Sequence, residues 1–381
     1  MDIFNISDIF SELELLLINS MKRNLERHIK DELAEGFNWT QWQAVMLQNM
    51  QKYRKQNTAI VGRSSKHIDK AVRELLKSQY SEAGDKTKKA ILKSIAEGHK
   101  TRLEPDNNSF FGINDRKLNA LIDTTQTDFR QAQYSAIRLM DDEYRKIIYK
   151  SQVYANMGAL TVPQALDMAT KDFLSKGINS ITYKNGRRVS IDSYAEIAIR
   201  TANKRAYLMG EGAMRKEWGE SLVLVGATGT GCPNCIKFMN KVLVDNVYSG
   251  GKETDYNGKY QTLSYAIGEG FLHPQCIQPI STYFEGITEI PPPADEKEVI
   301  KNYDLAQQQR SNERHIRMYK RLEAGSFDPE NKKKYRDKIK EWQQKQRDFL
   351  KENPQLRRDY SREQTRGILL GEQSQLHVQL P

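Results

Sequence analysis

Two short stretches pair chemically capable residues at the same interval. Cys232-x-x-Cys235 sets two thiols on one tight turn, and His273-Pro274-Gln275-Cys276 repeats the two-residue gap with an imidazole and a thiol. Together they offer three sulfurs and one nitrogen, the donor set of a closed tetrahedral site that suits zinc and leaves no position open for water. Iron is another ion that cysteine-rich tetrahedral sets accept. Pro274 pushes His273 towards extended backbone, which helps aim its ring and the Cys276 sulfur at one point. These are all 3 cysteines of the chain, an odd count that does not suit a disulfide framework. The bland alternative is buried packing, with cysteine acting as a small hydrophobe, or a redox thiol pair. In each case the residues are expected to hold a fold and not to do chemistry.

The first pair follows Gly226-Ala-Thr-Gly-Thr-Gly231, which opens like a phosphate loop behind the apolar run Leu222–Val225. A phosphate loop needs a lysine and then a Ser or Thr directly after its second glycine. Here those places hold Cys232 and Pro233, so neither the cation nor the magnesium ligand is supplied. The dinucleotide-binding glycine order also fails. The zinc-deaminase signature needs His-x-Glu ahead of Pro-Cys-x-x-Cys and is absent. No His-Glu-x-x-His exists, since His28 is followed by Ile-Lys-Asp. His67, His99, His315 and His377 sit in charged, helical or terminal contexts and read as surface residues. Glu296-Lys297-Glu298 resembles a transferase Glu-x-Glu, but it follows three prolines at a helix start, where acidic residues suit the dipole. No catalytic constellation remains and a non-enzyme is expected. An enzyme alternative, a nuclease or transferase, would need Arg187, Arg188, Arg200 and His273 to converge near residues 182–283.

The elements that must position the clasp read as α+β, predominantly α-helical. Apolar residues spaced by three and four predict a helix within 6–35, a second from Asn38-Trp39-Thr40 and a third over Arg63–Lys77. Gly98 and Pro105–Ser109 read as a break, followed by a long helix from Asp115 to near Gly158. Thr161 with Pro163 predicts a fresh start. Residues 181–191 predict a hairpin around Asn185-Gly186, and Ser193–Trp218 returns to helix. Short strands and glycines fill 221–290. Pro291–Pro293 then leads into charged helices at 299–324 and 329–352, an expected antiparallel hairpin. The domain reading is therefore an N-terminal helical region (1–110), a long helix and connector (111–180), an α+β module with the Cys₃His cluster (181–290), a proline linker (291–298), a basic helical hairpin (299–366) and a disordered tail (367–381).

The 381-residue chain is 38% apolar and 28% charged, with mean hydropathy −0.73, which suits extended helices with much wetted surface. Its longest aliphatic block near the N-terminus, Leu15–Ile18, is too short to span a bilayer, and no secretory signal is legible. A cytoplasm, or a particle assembled there, is the expected location. Of the net +10, residues 301–366 carry +8 from 19 Lys and Arg against 11 Asp and Glu, so the basic character reads as concentrated in the last fifth. Lys332, Lys333, Lys334, Arg336, Arg357 and Arg358 are the candidate contacts for nucleic-acid phosphate, without base readout because aromatic residues are sparse there. A free, non-specific DNA-binding protein using these helices is a further alternative.

A family resemblance adds to these readings. "IDSYAEIAIRTANKRAYLMGEGAMRKEWG", "CPNCIKFMNKVLVDNVYSGG", "AIGEGFLHPQC" and "TYFEGI" follow one another in order over about residues 190–290. This region resembles the minor capsid (minor head) proteins of tailed bacteriophages, the minor capsid protein 2 group. It is more loosely similar to the wider head-morphogenesis family that ends in His-Pro-x-Cys. "YDLAQQQRSNERHIRMYKR" and "LRRDYSRE" resemble that group's C-terminal helices, while the first ~110 residues carry no matching motif. The resemblance implies a virion protein present in few copies near the portal vertex, acting in head assembly or in DNA packaging and release. It implies the portal or major capsid protein and packaged DNA as partners, and no membrane. Arg200-Thr201 and the four Cys/His positions are typical of the family. Ile277-Gln278 depart from it, standing where a basic or histidine residue is usual, which weakens nucleic-acid binding or catalysis at that turn but leaves the metal ligands untouched.

Overall fold

The computed structural model describes residues 3–26, 29, 38–103, 115–156, 160–183, 185–293 and 295–363. The Pro105–Ser109 break, the helix end near Gly158, His28, His377 and the tail 367–381 lie outside the described residues. The described chain is mainly helical with two small antiparallel sheets. In order come α1 (Ile3–Glu26), α2 (Trp39–Gln48), α3 (Met50–Ala96), α4 (Asp115–Asn156), α5 (Val162–Lys176), β1 (Ile181–Thr182), β2 (Arg188–Val189) and α6 (Ile191–Glu217). Then follow β3 (Leu222–Val225), α7 (Pro233–Ile236), β4 (Val242–Val244), α8 (Leu263–Gly268), β5 (Ile280–Thr282), α9 (Glu296–Gly325) and α10 (Pro329–Glu352).

Local chemistry accounts for most boundaries. Asn38 caps α2 through its side-chain Oδ1, which accepts from the Thr40 and Gln41 amides, and Thr161 with Gln164 forms a full capping box on α5, with Pro163 in the first turn. Asp328 accepts from the amides of Glu330 and Asn331 and starts α10. The hairpin pairs Ile181 with Val189 and Thr182 with Arg188, and Gly186 takes φ +79° in its turn. One expectation fails in length. The third helix is not confined to Arg63–Lys77 but runs 47 residues from Met50 to Ala96. Its buried positions Tyr53, Asn57, Ile60, Ser64, Ile68, Ala71 and Leu75 keep steps of three and four, so one buried stripe is continuous although polar residues interrupt it.

The chain divides into two compact units. The first comprises residues 71–126 and 197–307. Its three-stranded sheet has the order β4-β3-β5, all antiparallel. Val223 and Val225 face a core with Phe238, Leu243, Phe271 and Ile280, while Leu222 and Leu224 face the other side among Tyr256, Tyr260 and Tyr283. Both faces are covered, which is why β3 reads as an unbroken apolar run and not as an alternating one. Helices α3 and α6 approach closely here: a Cβ at Gly210 would run into the backbone of Tyr80.

The second unit comprises residues 2–70, 127–196 and 308–381. Aromatic pairs Phe10–Phe129 (5.0 Å) and stacked Tyr53–Tyr144 (4.1 Å) mark its core. Buried Glu14 accepts from the Ile178 amide at 2.7 Å and pairs with Arg321 at 3.4 Å. The expected antiparallel helical hairpin is present. His315 stacks on Trp342, Asn312 donates to Gln346, and Arg336 pairs with Glu323, successive rungs between α9 and α10. Buried Asp167 holds the hairpin's turn, accepting from the Ser326 hydroxyl (2.7 Å), the Phe327 amide (2.6 Å) and the Asn331 side chain (2.9 Å).

Candidate metal centre

Sheet register brings the two distant turns together. Val225, the last residue of β3, pairs with Ile280, the first of β5, and the Gly226 amide donates to Pro279 O at 2.9 Å. The chain leaving β3 therefore departs beside the chain arriving at β5. The first carries Cys232 and Cys235, the second His273 and Cys276. Gly226 is needed for this approach, because a Cβ there would lie 2.7 Å from the Pro279 ring.

Each turn is shaped by its own backbone. Cys232 stands extended ahead of the one-turn helix α7, whose Pro233 start costs no hydrogen bond, and Cys232 O accepts from the amides of Cys235 and Ile236. On the second turn the Cys276 amide donates to His273 O at 2.9 Å, and Leu272 and Gln275 adopt positive φ. His273 Nδ1 donates to Pro274 O at 2.8 Å, which leaves Nε2 directed at Cys232 Sγ, 3.0 Å away. Cys235 Sγ lies 3.4 Å from Cys276 Sγ. The Cys232, Cys235 and His273 donor atoms all lie within 4.8 Å of one another and can hold a metal ion. Metal–sulfur bonds of about 2.3 Å need tetrahedral S–S edges of about 3.8 Å, so small side-chain rotations separate this arrangement from coordination.

The electrostatics favour the thiolate at Cys276 and Cys232 and the thiol at Cys235. The hydrogen bond from Cys235 brings the Cys276 pKa down to about 6, and the same bond drives that of Cys235 up. Burial works against ionisation of Cys232, but hydrogen bonds from His273 and Cys235 outweigh it and its pKa falls. Burial likewise works against His273 protonation, and its bonds to Pro274 O and Cys232 overcome that. Cys232, Cys276 and Leu272 pack against the apolar core that includes Phe238 and Phe271. Cys232, Cys235 and His273, with the histidine tautomer set by a carbonyl and Cys276 Sγ beside Cys235 Sγ, form a donor set at the edge of an apolar core that suits a metal ion.

Polar side chains around the cluster were not foreseen from the sequence. Gln278 is 1% exposed; its amide donates to Thr230 O at 2.8 Å and accepts from the Thr228 hydroxyl at 3.1 Å, pinning the glycine-rich turn that leads to Cys232. Lys204 donates to Gln278 O at 3.0 Å, and its burial depresses its pKa. Deeper in the unit, Arg215 and Asp245 form a fully buried pair at 2.9 Å. Asp245 also accepts from the amides of Val247, Tyr248 and Ser249. Its legible signal was an aspartate ahead of a Tyr-Ser-Gly-Gly turn, a common way of capping a loop.

Other candidate residues fall as follows. Lys332, Lys333 and Lys334 are exposed on α10, as is Arg357 beyond it, whereas Arg336 pairs with Glu323 and Arg358 makes a two-point pair with Glu363 at 2.7–2.8 Å. Arg187 and Arg188 belong to the hairpin of the second unit, while Arg200 and His273 belong to the first. Thr201 donates to Ile197 O within α6, and Glu296 and Glu298 occupy the first turn of α9. Two histidines read as surface residues are not: His99 lies 2.8 Å from Glu220 and edge-on to Phe284, and His315 is stacked on Trp342. Apolar neighbours distant in sequence, Phe284 and Trp342, draw them in. Among the described residues no helix is long and apolar enough to cross a membrane.

The basic charge is also less concentrated than the last fifth suggests. Helix α3 holds 12 Lys and Arg against 4 Asp and Glu, a net +8 equal to that of residues 301–366, and acidic segments elsewhere conceal it in the total.

Comparison with known sequences extends the resemblance beyond residues 190–290. The sequence model of the family described as phage minor capsid protein 2 matches residues 2–351. A curated relative described as a structural protein of Lactococcus phage LL-H is 25% identical over 313 residues, covering 80% of this chain and 82% of its own. No solved structure matches.

Proposed function

Because the chain belongs to the phage minor capsid protein 2 family, a family of structural phage proteins, we propose that it is a minor head component near the portal vertex, acting in head assembly and in DNA packaging or release. Its partners in this reading are the portal or major capsid protein, with packaged DNA met through phosphates. Zinc is the proposed ion, held by Cys232, Cys235, His273 and, as the fourth ligand, Cys276. When bound, the ion supplies a cross-link between the β3 and β5 turns. The chain's own residues back the half-buried cluster with an apolar core on one side, which suits holding two turns together. The observation that carries the reading is the convergence of the two turns at paired strand ends, within a family match that spans most of the chain.

Two experiments test it. Mass spectrometry of purified particles should find the protein at low copy number, cross-linked to portal or capsid protein; absence from particles would overturn the reading. In the second, His273→Ala should lose bound metal and thermal stability together. A variant that stays equally stable while losing a measurable catalytic activity would replace the structural reading with an enzymatic one.

A further inference from the structure

Helix α3 carries a line of cations. In its portion within the second unit, Lys52, Lys55, Arg63, Lys66 and Lys70 fall within an arc of about 80° on a helix of 3.6 residues per turn. Tyr53, Asn57, Ile60, Ser64 and Ile68 lie on the other side and are buried. Lys52, Lys55, Arg63 and Lys66 are exposed and have no ion-pair partner among the described residues. No acidic residue occurs from Met50 to Ile68, and the first one, Asp69, pairs with Arg130.

Gly62 gives an independent pointer. It stands in the middle of this helix, exposed, and a Cβ there would meet nothing within 4 Å. Neither close packing nor a positive φ calls for glycine, although mid-helix glycine is unfavourable. Together with exposed Ala59 it leaves the helix backbone bare between Lys55 and Arg63, where a partner can come close.

We propose that this face of α3 is a docking surface for the phosphate backbone of duplex DNA, and the chain's principal one, which rests on the DNA-contacting part of the function proposed above. The span from Lys52 to Lys70 is about 27 Å at 1.5 Å per residue, long enough to follow several successive phosphates. Protein partners are anchored by aromatic or aliphatic residues seated in pockets, and none of the large exposed apolar residues falls in this stretch. Phosphate contacts need no such anchors and carry no base choice. The C-terminal helix α10 is a weaker rival: Lys338, Lys340 and Arg336 are answered by Glu341, Asp337 and Glu323, and its exposed Lys332, Lys333 and Lys334 stand between Glu330 and Asp337, whereas no acidic residue interrupts the α3 face.

The test measures binding of the full chain to a random-sequence duplex by fluorescence anisotropy across salt concentrations, with metal content assayed in the same preparation so that loss of the clasp is told apart from loss of the surface. Three proteins are compared: the parent chain, a Lys52→Gln/Lys55→Gln/Arg63→Gln/Lys66→Gln variant, and a Lys332→Gln/Lys333→Gln/Lys334→Gln variant. Each lost phosphate contact lowers the slope of log K against log salt by about 0.9, so the α3 variant should lose roughly 3 to 4 of that slope. The α10 variant should lose less than half as much. Gly62→Leu, which the fold accommodates, should weaken binding several-fold. No binding by the parent chain at 50 mM salt (about the low end of the sensitive range), an unchanged slope in the α3 variant, a larger loss in the α10 variant, or preference for a polyglutamate peptide over duplex would each overturn the proposal.

Discussion

Gln278 shows how much one side chain can settle. Its amide clips the turn that delivers Cys232. Gln278→Ala removes two hydrogen bonds to the glycine-rich turn while the Thr228 hydroxyl still donates to Thr230 O, so the cost should be about 0.5–1.5 kcal/mol. Chemical denaturation with and without chelator checks this, and the loss should be larger in the metal-bound form. Asp245 acts more strongly. Asp245→Ala leaves the fully buried Arg215 with Glu211, 3.5 Å away, as its remaining ion-pair partner and takes the acceptor from the Val247, Tyr248 and Ser249 amides; breaking a buried pair from one side costs up to about 3–5 kcal/mol, so a large fall in melting temperature is expected. Asp192 carries a pH signature. Burial alone would raise its pKa, but Arg317 at 3.4 Å and Arg321 lower it below the usual carboxylate value. A depressed folded pKa stabilises above the unfolded value, and the gain is lost as pH falls through the folded one. The melting-temperature gap between the parent chain and Asp192→Asn should therefore be full at pH 7 and close below about pH 4.

Among the elements, helix α3 separates what the sequence reveals from what it hides. Capped helices such as α5 and α10 were legible because Thr161-Val-Pro and Asp328-Pro name their own first turns. The hairpin was legible because Asn185-Gly186 permits little else. The full length of α3 was not, because Asn57, Ser64 and Thr87 occupy buried positions and break the apolar period that marks a helix. Its Gly62 behaves oppositely to the Gly210 of α6, which gives a paired prediction. Gly62→Ala meets nothing and should stabilise the chain by about 0.5–1 kcal/mol, whereas Gly210→Ala collides with the Tyr80 backbone and should destabilise it. Thermal melts of both variants check the contrast. Equal behaviour would mean that the crossing of α3 and α6 is looser than described.

For the molecule as a whole, the Cys/His pairing was visible because types and spacing suffice to suggest it. What places the two turns side by side is the pairing of Val225 with Ile280, set by strands of four and three residues too short to register from pattern. Charge was misjudged for a related reason: a total of +10 hides two segments of +8 behind acidic stretches, and only burial reveals which face of α3 is left to solvent. The proposed clasp would add a metal cross-link to the strand pairing and to the Gln278 hydrogen bonds that already join the β3 and β5 turns. The most direct measurement is elemental analysis of the purified full chain beside Cys232→Ala and His273→Ala. The account predicts one zinc ion per parent chain, lost in both variants together with thermal stability. A folded, stable parent chain with no stoichiometric metal would contradict it.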